Sequence, residues 1–280
     1  AGNWDSGVVP GATDDVLIDI TGGGTVTYRQ DTAGIPSVRT LELNTPLSIT
    51  GGTLRVATTV LARAGITMNG GTLADATIDL LTGGSILFAN NSNSRLSNLT
   101  VNGTLGGGYI NTRIAGTFTL NGTANVGNGQ IAFEGSPTVT SGTYVLDHGS
   151  MGLAGSGGSN QTLTIGAGVT IRGRGSIGQW YFVQGASGNL VNQGTIEANV
   201  NNSTLTINPA NSFTNAAGGI VRATGGGQMT ISGNSFAANQ GTIWSGAGSQ
   251  VNVGGAFANS AGGTVRTDIG GLSTAQFGRM

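Results

Sequence analysis

The chain has 280 residues, 53 of them Gly, with five Pro, no Cys, 11 basic and 12 acidic residues and a formal net charge of −1. That balance excludes general electrostatic attraction to nucleic acid or anionic lipid, and the missing Cys excludes disulfide staples and thiolate metal sites. Charged residues make up 8%, against roughly 25% in ordinary soluble domains, and Lys is absent, so Ser, Thr, Asn and Gln must keep the surface wet.

No apolar run approaches the roughly 18 residues of a membrane span. No charged segment followed by an apolar stretch opens the sequence, so any signal peptide is expected to have been removed already. Residues 1–20 read as an N-terminal cap and first strand, with Pro10, Gly11, Asp14 and Asp15 preceding the alternating Val16-Leu17-Ile18-Asp19-Ile20. Short alternating runs separated by turn residues then recur, which is the signature of strands. They include Thr25–Tyr28, Thr40–Leu43, Leu47–Ile49, Thr53–Val56, Ser85–Phe88 and Thr117–Leu120. Leu54 to Ala64 has the best helical composition, yet its Val56, Thr58, Thr59 and Val60 favour strand. Gly51-Gly52-Thr53-Leu54 returns 19 residues later as Gly70-Gly71-Thr72-Leu73, and Gly83-Gly84-Ser85-Ile86 is a looser copy. A Gly pair ahead of a strand supplies the positive-φ corner of a sharp turn.

Residues 150–160 carry no strand signal and read as a projecting loop or a junction between two repeat styles. Beyond them an Asn cassette repeats: Asn192-Gln193-Gly194-Thr195-Ile196, Asn215 to Val221, Asn239-Gln240-Gly241-Thr242-Ile243, and Asn259 to Val265. The Asn positions are 23, 24 and 20 residues apart. A period in this range marks stacked supersecondary units. The sequence therefore predicts an all-β, single-domain parallel β-helix, or β-solenoid, over residues 1–280. Its coils should have about 19–25 residues and a right-handed sense, the hand parallel crossovers favour. Asn192, Asn215, Asn239 and Asn259 are expected to stack at one corner, each amide bonding the next. Leu190, Phe213, Phe236 and Phe257 precede them by two or three residues and are expected to stack inside.

The acids do not fall into a catalytic pattern. Glycoside hydrolysis needs two carboxyls roughly 5–9.5 Å apart across the bond. Asp147 and Glu197 lie 50 residues apart, out of step with one coil, whereas Asp19 and Glu42, 23 apart, are spaced to stack. Asp147-His148 holds the only His and invites a general-base reading, but Gly-rich flanks without a Ser nucleophile favour a solvated loop. Asp14, Asp15 and Asp19 offer oxygens for Ca²⁺, with polar capping of the first coil as the other reading. The Gly-Gly-x-Gly-x-Asp repeat of Ca²⁺-binding β-rolls is absent. The expectation is no catalytic residue, no metal and no cofactor.

The opening Trp4-x-x-Gly7-x-x-Pro10-x-x-x-Asp14-Asp15-Val16-x-Ile18 resembles the start of bacterial secreted β-helix exoproteins, both autotransporter-passenger-like and filamentous-haemagglutinin-like surface proteins. Leu163 to Gly173, Leu190 to Ile196, and Val253 to Gly271 look like their internal repeats. The resemblance implies export to the bacterial surface or beyond, and it implies no catalytic residue. The reading that follows is a non-catalytic extracellular structural protein, an adhesin stalk or a filament subunit. Its expected partners are copies of itself end to end or the remainder of a longer chain, because residues 254–280 still read as repeat without a cover. The alternative is a polysaccharide-binding β-helix, with Trp180 and Tyr181 as the candidate glycan platform. A β-helix lyase or hydrolase is the third reading.

Overall fold

The computed structural model describes residues 4–29, 37–154, 160–178, 188–232, 236–256, 258–271, 273 and 276–280. Among them there is no α-helix, and parallel stacked strands form a β-solenoid of about ten turns. Leu54 to Ala64 resolves into the strands Thr53–Val56 and Thr59–Ala62. Most short strands alternate, as where the buried Leu41 and Leu43 follow the half-exposed Thr40 and Glu42 in turn. Inward Val, Leu and Ile fill the coil, while outward Thr and polar residues face water, as a period of two requires.

The chain divides into two compact units, residues 1–107 with 111–122 and residues 108–110 with 123–280. In the N-terminal unit each coil contributes three strands. One face runs Asp15–Ile18, Thr40–Leu43, Thr59–Ala62, Thr77–Leu80. A second runs Val26–Tyr28, Leu47–Ile49, Gly65–Met68, Ser85–Phe88. The third runs Ser37–Val38, Thr53–Val56, Thr72–Ala74 and into Arg95–Leu105. Of the Gly pairs, Gly52, Gly70 and Gly83 take positive φ. Their companions Gly71 and Gly84 are needed for another reason: a Cβ there would strike Ile49 and the Ala62 carbonyl respectively.

In the C-terminal unit the long strands Thr138–Ala154 and Gln161–Gly178 pair from Thr138↔Thr164 to Gly152↔Gly178, with register shifts at Val139/Ser141 and Asp147/Gly149. Residues 150–154, expected to form a loop, continue this strand and pair with Gln130–Glu134. The reason is that Met151 and Leu153 are inward apolar residues at the right spacing, although Gly and Ser dominate the composition around them. Residues 155–159 lie outside the described residues. Three strand columns continue beyond, through Gly188–Asn192, Ser212–Asn215 and Phe236–Asn239, through Thr195–Ala198, Ile220–Ala223, Thr242–Ser245 and Thr264–Thr267, and through Thr204–Ile207, Gln228–Ile231 and Gln250–Val253.

Coil length varies more than the expected 19–25 residues. Thr59 pairs with Thr77, 18 residues on, and Thr143 with Thr170, 27 on. Backbone ladders fix the strands, so the turns absorb the difference. The last residues also depart from expectation. Thr264–Thr267 runs on as exposed repeat, but residues 276–280 fold back: the Gly278 N–H donates to the Asp268 carbonyl at 2.7 Å, and Val251 N–H donates to the Arg279 carbonyl at 2.8 Å.

Candidate functional site

The Asn cassette forms a continuous ladder. Asn192 Nδ2 donates to Asn215 Oδ1 at 2.9 Å, Asn215 to Asn239 at 2.8 Å, and Asn239 to Asn259 at 2.7 Å. Each donor also reaches the carbonyl that opens the next coil's strand, at Ile220, Thr242 and Thr264. Asn192, Asn215 and Asn239 are fully buried, whereas Asn259 is exposed. Burying an amide costs free energy unless its bonds are made, and here they are made between coils. Leu190, Phe213 and Phe236 stack in register beneath it, with the two Phe rings 5.5 Å apart. Phe257, Trp180 and Tyr181 lie outside the described residues.

The few charges follow the same rule. Arg39 pairs with Asp15, Arg63 with Glu42 and Arg55 with Asp75, each across neighbouring coils. In the other unit Arg174 pairs with Asp147 at 2.5 Å, and Arg222 grips both oxygens of Glu197 at 3.0 and 3.1 Å. Next in that row, Trp244 lies between the guanidinium groups of Arg222 and Arg266, 5.6 and 4.7 Å from its ring centroid, a cation–π stack. Three carboxyls are held below the usual carboxylate range. The cause is the hydrogen bond from Arg39 for Asp15, that from Asn98 and then Arg55 for Asp75, and that from Arg174 for Asp147.

Asp19 and Glu42 do not stack as their spacing suggests. Glu42 stands opposite Leu17, and Asp19 accepts a bond from Asn44 at 3.2 Å, because this coil is longer than the 23-residue offset requires. Asp14 accepts from the Gly11 N–H at 2.8 Å, a turn-capping role. Among the described residues no group of three or more His, Asp or Glu is placed to hold a metal.

Two polar grooves were not foreseen. One, of about 620 Å³, lies in the C-terminal unit. Its floor is the row Gln130, Ser150, Ser176 and Thr206, one residue per coil. Gln130 Oε1 and the buried Ser150 hydroxyl find no hydrogen-bond partner in the protein. His148 and Arg174 stand at its side. His148 falls in the register shift between Asp147 and Gly149 and has φ 67°. A bulge takes a residue out of the in–out alternation and re-aims its side chain; this imidazole is 66% exposed, its Nδ1 3.3 Å from Asp147. Asn202, φ 52°, lines the same groove. The second groove, of about 590 Å³, lies in the N-terminal unit beside Asp75 and Asn98, with φ 66° and 52°. All four non-Gly residues with positive φ among the described ones thus border these grooves. Such residues are strained and cluster where geometry is demanding. The sequence signal is residue type alone, since Asp, Asn and His are the non-Gly residues that most readily take positive φ; of the four only His148 stands next to a Gly. No family model, curated protein or solved structure matches this chain.

Proposed function

We propose that this chain is a non-catalytic structural protein of the bacterial surface or extracellular space, a β-solenoid serving as an adhesin stalk or filament subunit. One observation carries the reading: the buried Asn amides, the Trp244 stack and most of the ion pairs are directed from one coil to the next, Arg266–Asp268 and His148–Asp147 being pairs within a coil. Asn91 to Asn69, Asn102 to Asp79 and Asn121 to Asn102 extend the pattern in the N-terminal unit. Side chains used this way bind coil to coil, so load along the stack is shared by backbone ladders and side-chain ladders together. The expected partners are copies of the chain end to end or further coils of a longer chain. Thr264–Thr267 pairs with Thr242–Ser245 and is exposed along its length, the kind of strand edge that templates another. The resemblance to secreted β-helix exoproteins supports the location.

Pulling single molecules along the coil stack tests the reading. Stepwise rupture in single-coil increments at high force is expected, with Asn215→Ala lowering the force for the coils around it. Turnover of polygalacturonate or alginate, lost on replacing Asp147 or Glu197, would overturn the non-catalytic assignment.

A further inference from the structure

We propose that the groove beside His148 and Arg174 is a binding site for a segment of acidic polysaccharide. The site goes beyond the structural reading and does not depend on it. Its lining is hydroxyl and amide along the coil axis, from Gln130 through Ser150 and Ser176 to Thr206, with Asn202 and Asn208 at the border. These groups exchange hydrogen bonds with sugar hydroxyls in either sense, since hydroxyls and carboxamides both donate and accept. Gln130 Oε1 and the Ser150 hydroxyl lie unpaired beneath the floor, out of solvent contact, so the exposed hydroxyls and amides are the groups that meet a ligand.

The charge of the ligand follows from what lines the wall. Among the described residues that line it, Arg174 and His148 are the only titratable ones, and none is a carboxylate. Asp147 Oδ1 contacts both, 2.5 Å from Arg174 Nε and 3.3 Å from His148 Nδ1, but it lines an adjoining depression with the exposed Arg172 and takes no place in the groove wall. Asp147 instead orients Arg174, whose Nη1 reaches towards Ser203 Oγ at 3.5 Å. A fixed guanidinium beside an imidazole suits a carboxylate or sulfate on a sugar ring. The strained backbone at His148 and Asn202 has the same meaning. Each position is one that Gly would occupy at lower conformational cost, yet each carries a side chain that borders the groove.

That strain makes the test selective. Binding of galacturonate oligosaccharides and of neutral cello-oligosaccharides to the whole chain is measured by calorimetry, beside thermal unfolding of each variant. His148→Gly and Asn202→Gly remove side chains while relieving the backbone, so the melting temperature should hold or rise. Losing one such contact should weaken galacturonate binding about tenfold, as should Arg174→Gln, in line with a lost hydrogen bond to a charged group. Thr77→Val, in the groove of the N-terminal unit, should leave affinity unchanged. The proposal is overturned if wild type binds no galacturonate oligomer, if cello-oligosaccharides bind equally well, or if His148→Gly and Arg174→Gln bind as wild type does.

Discussion

Tyr144 shows how a single polar atom can be out of place in an otherwise matched interior. It is fully buried, its hydroxyl has no partner, and burial pushes its ionisation far up. An unpaired buried hydroxyl costs free energy that an apolar ring does not. Tyr144→Phe should therefore stabilise the chain by about 1 kcal/mol in urea unfolding; a loss of stability would mean the hydroxyl has a partner. Asn215 is the opposite case. It accepts from Asn192 and donates to Asn239 and the Thr242 carbonyl, so Asn215→Ala leaves buried groups unpaired on both sides. About 3 kcal/mol should be lost, whereas Asn259→Ala, at the exposed end of the ladder, should cost about 1 kcal/mol or less. Equal losses at the two sites would remove the ladder as the reason for burying these amides.

At the scale of the repeating element, the glycines of the Asn cassette explain why the coils can stack so closely. Gly194, Gly219, Gly241 and Gly263 precede strands that pair in register, at Thr195, Ile220, Thr242 and Thr264. None of these Gly has positive φ. A Cβ at Gly241 would instead run into the Gly219 and Ala216 carbonyls, and at Gly263 into that of Asn239. Backbone cannot move aside as a flexible side chain can. Gly241→Ala should destabilise by about 3 kcal/mol, the upper range for overpacking, while Gly262→Ala is strained only through its own φ of 89° and meets nothing. Chemical denaturation of the two variants separates close approach from backbone conformation: equal losses would argue against close approach. The cassette is legible as a repeat, but the need for Gly in it is not, because contact with the previous coil lies outside a one-dimensional pattern.

For the whole molecule, stability is a sum over neighbouring coils, as in other solenoids, and the scarce charges act at those junctions. Asp15, Asp75 and Asp147 have folded pKa values below the ordinary one. Their contribution is complete above the unfolded value of about 3.9 and is lost as pH falls through the folded values. The melting temperature should therefore be level near neutrality and decline below about pH 4. The decline should be modest, because exposed pairs are screened by water. Asp75→Asn should lower stability near neutrality and shallow the acid decline. A melting temperature that rises on acidification through this range would contradict the role given to these pairs.

The sequence by itself determined the class of architecture. Alternation of period two and recurrence at about 19–25 residues are one-dimensional signals, and a parallel stack is what buries such strands and pairs such Asn residues. It also marked Asn192, Asn215, Asn239, Leu190 and Phe213 as a set, because one cassette repeats them. Only the tertiary structure decided what lies beside what between coils of unequal length. A coil of 25 residues rather than 23 places Glu42 opposite Leu17 and Asp19 against Asn44, and a one-residue bulge carries His148 out of the strand alternation into a groove wall. Such placements depend on the summed lengths of turns, and turn length is the property that the repeat pattern constrains least.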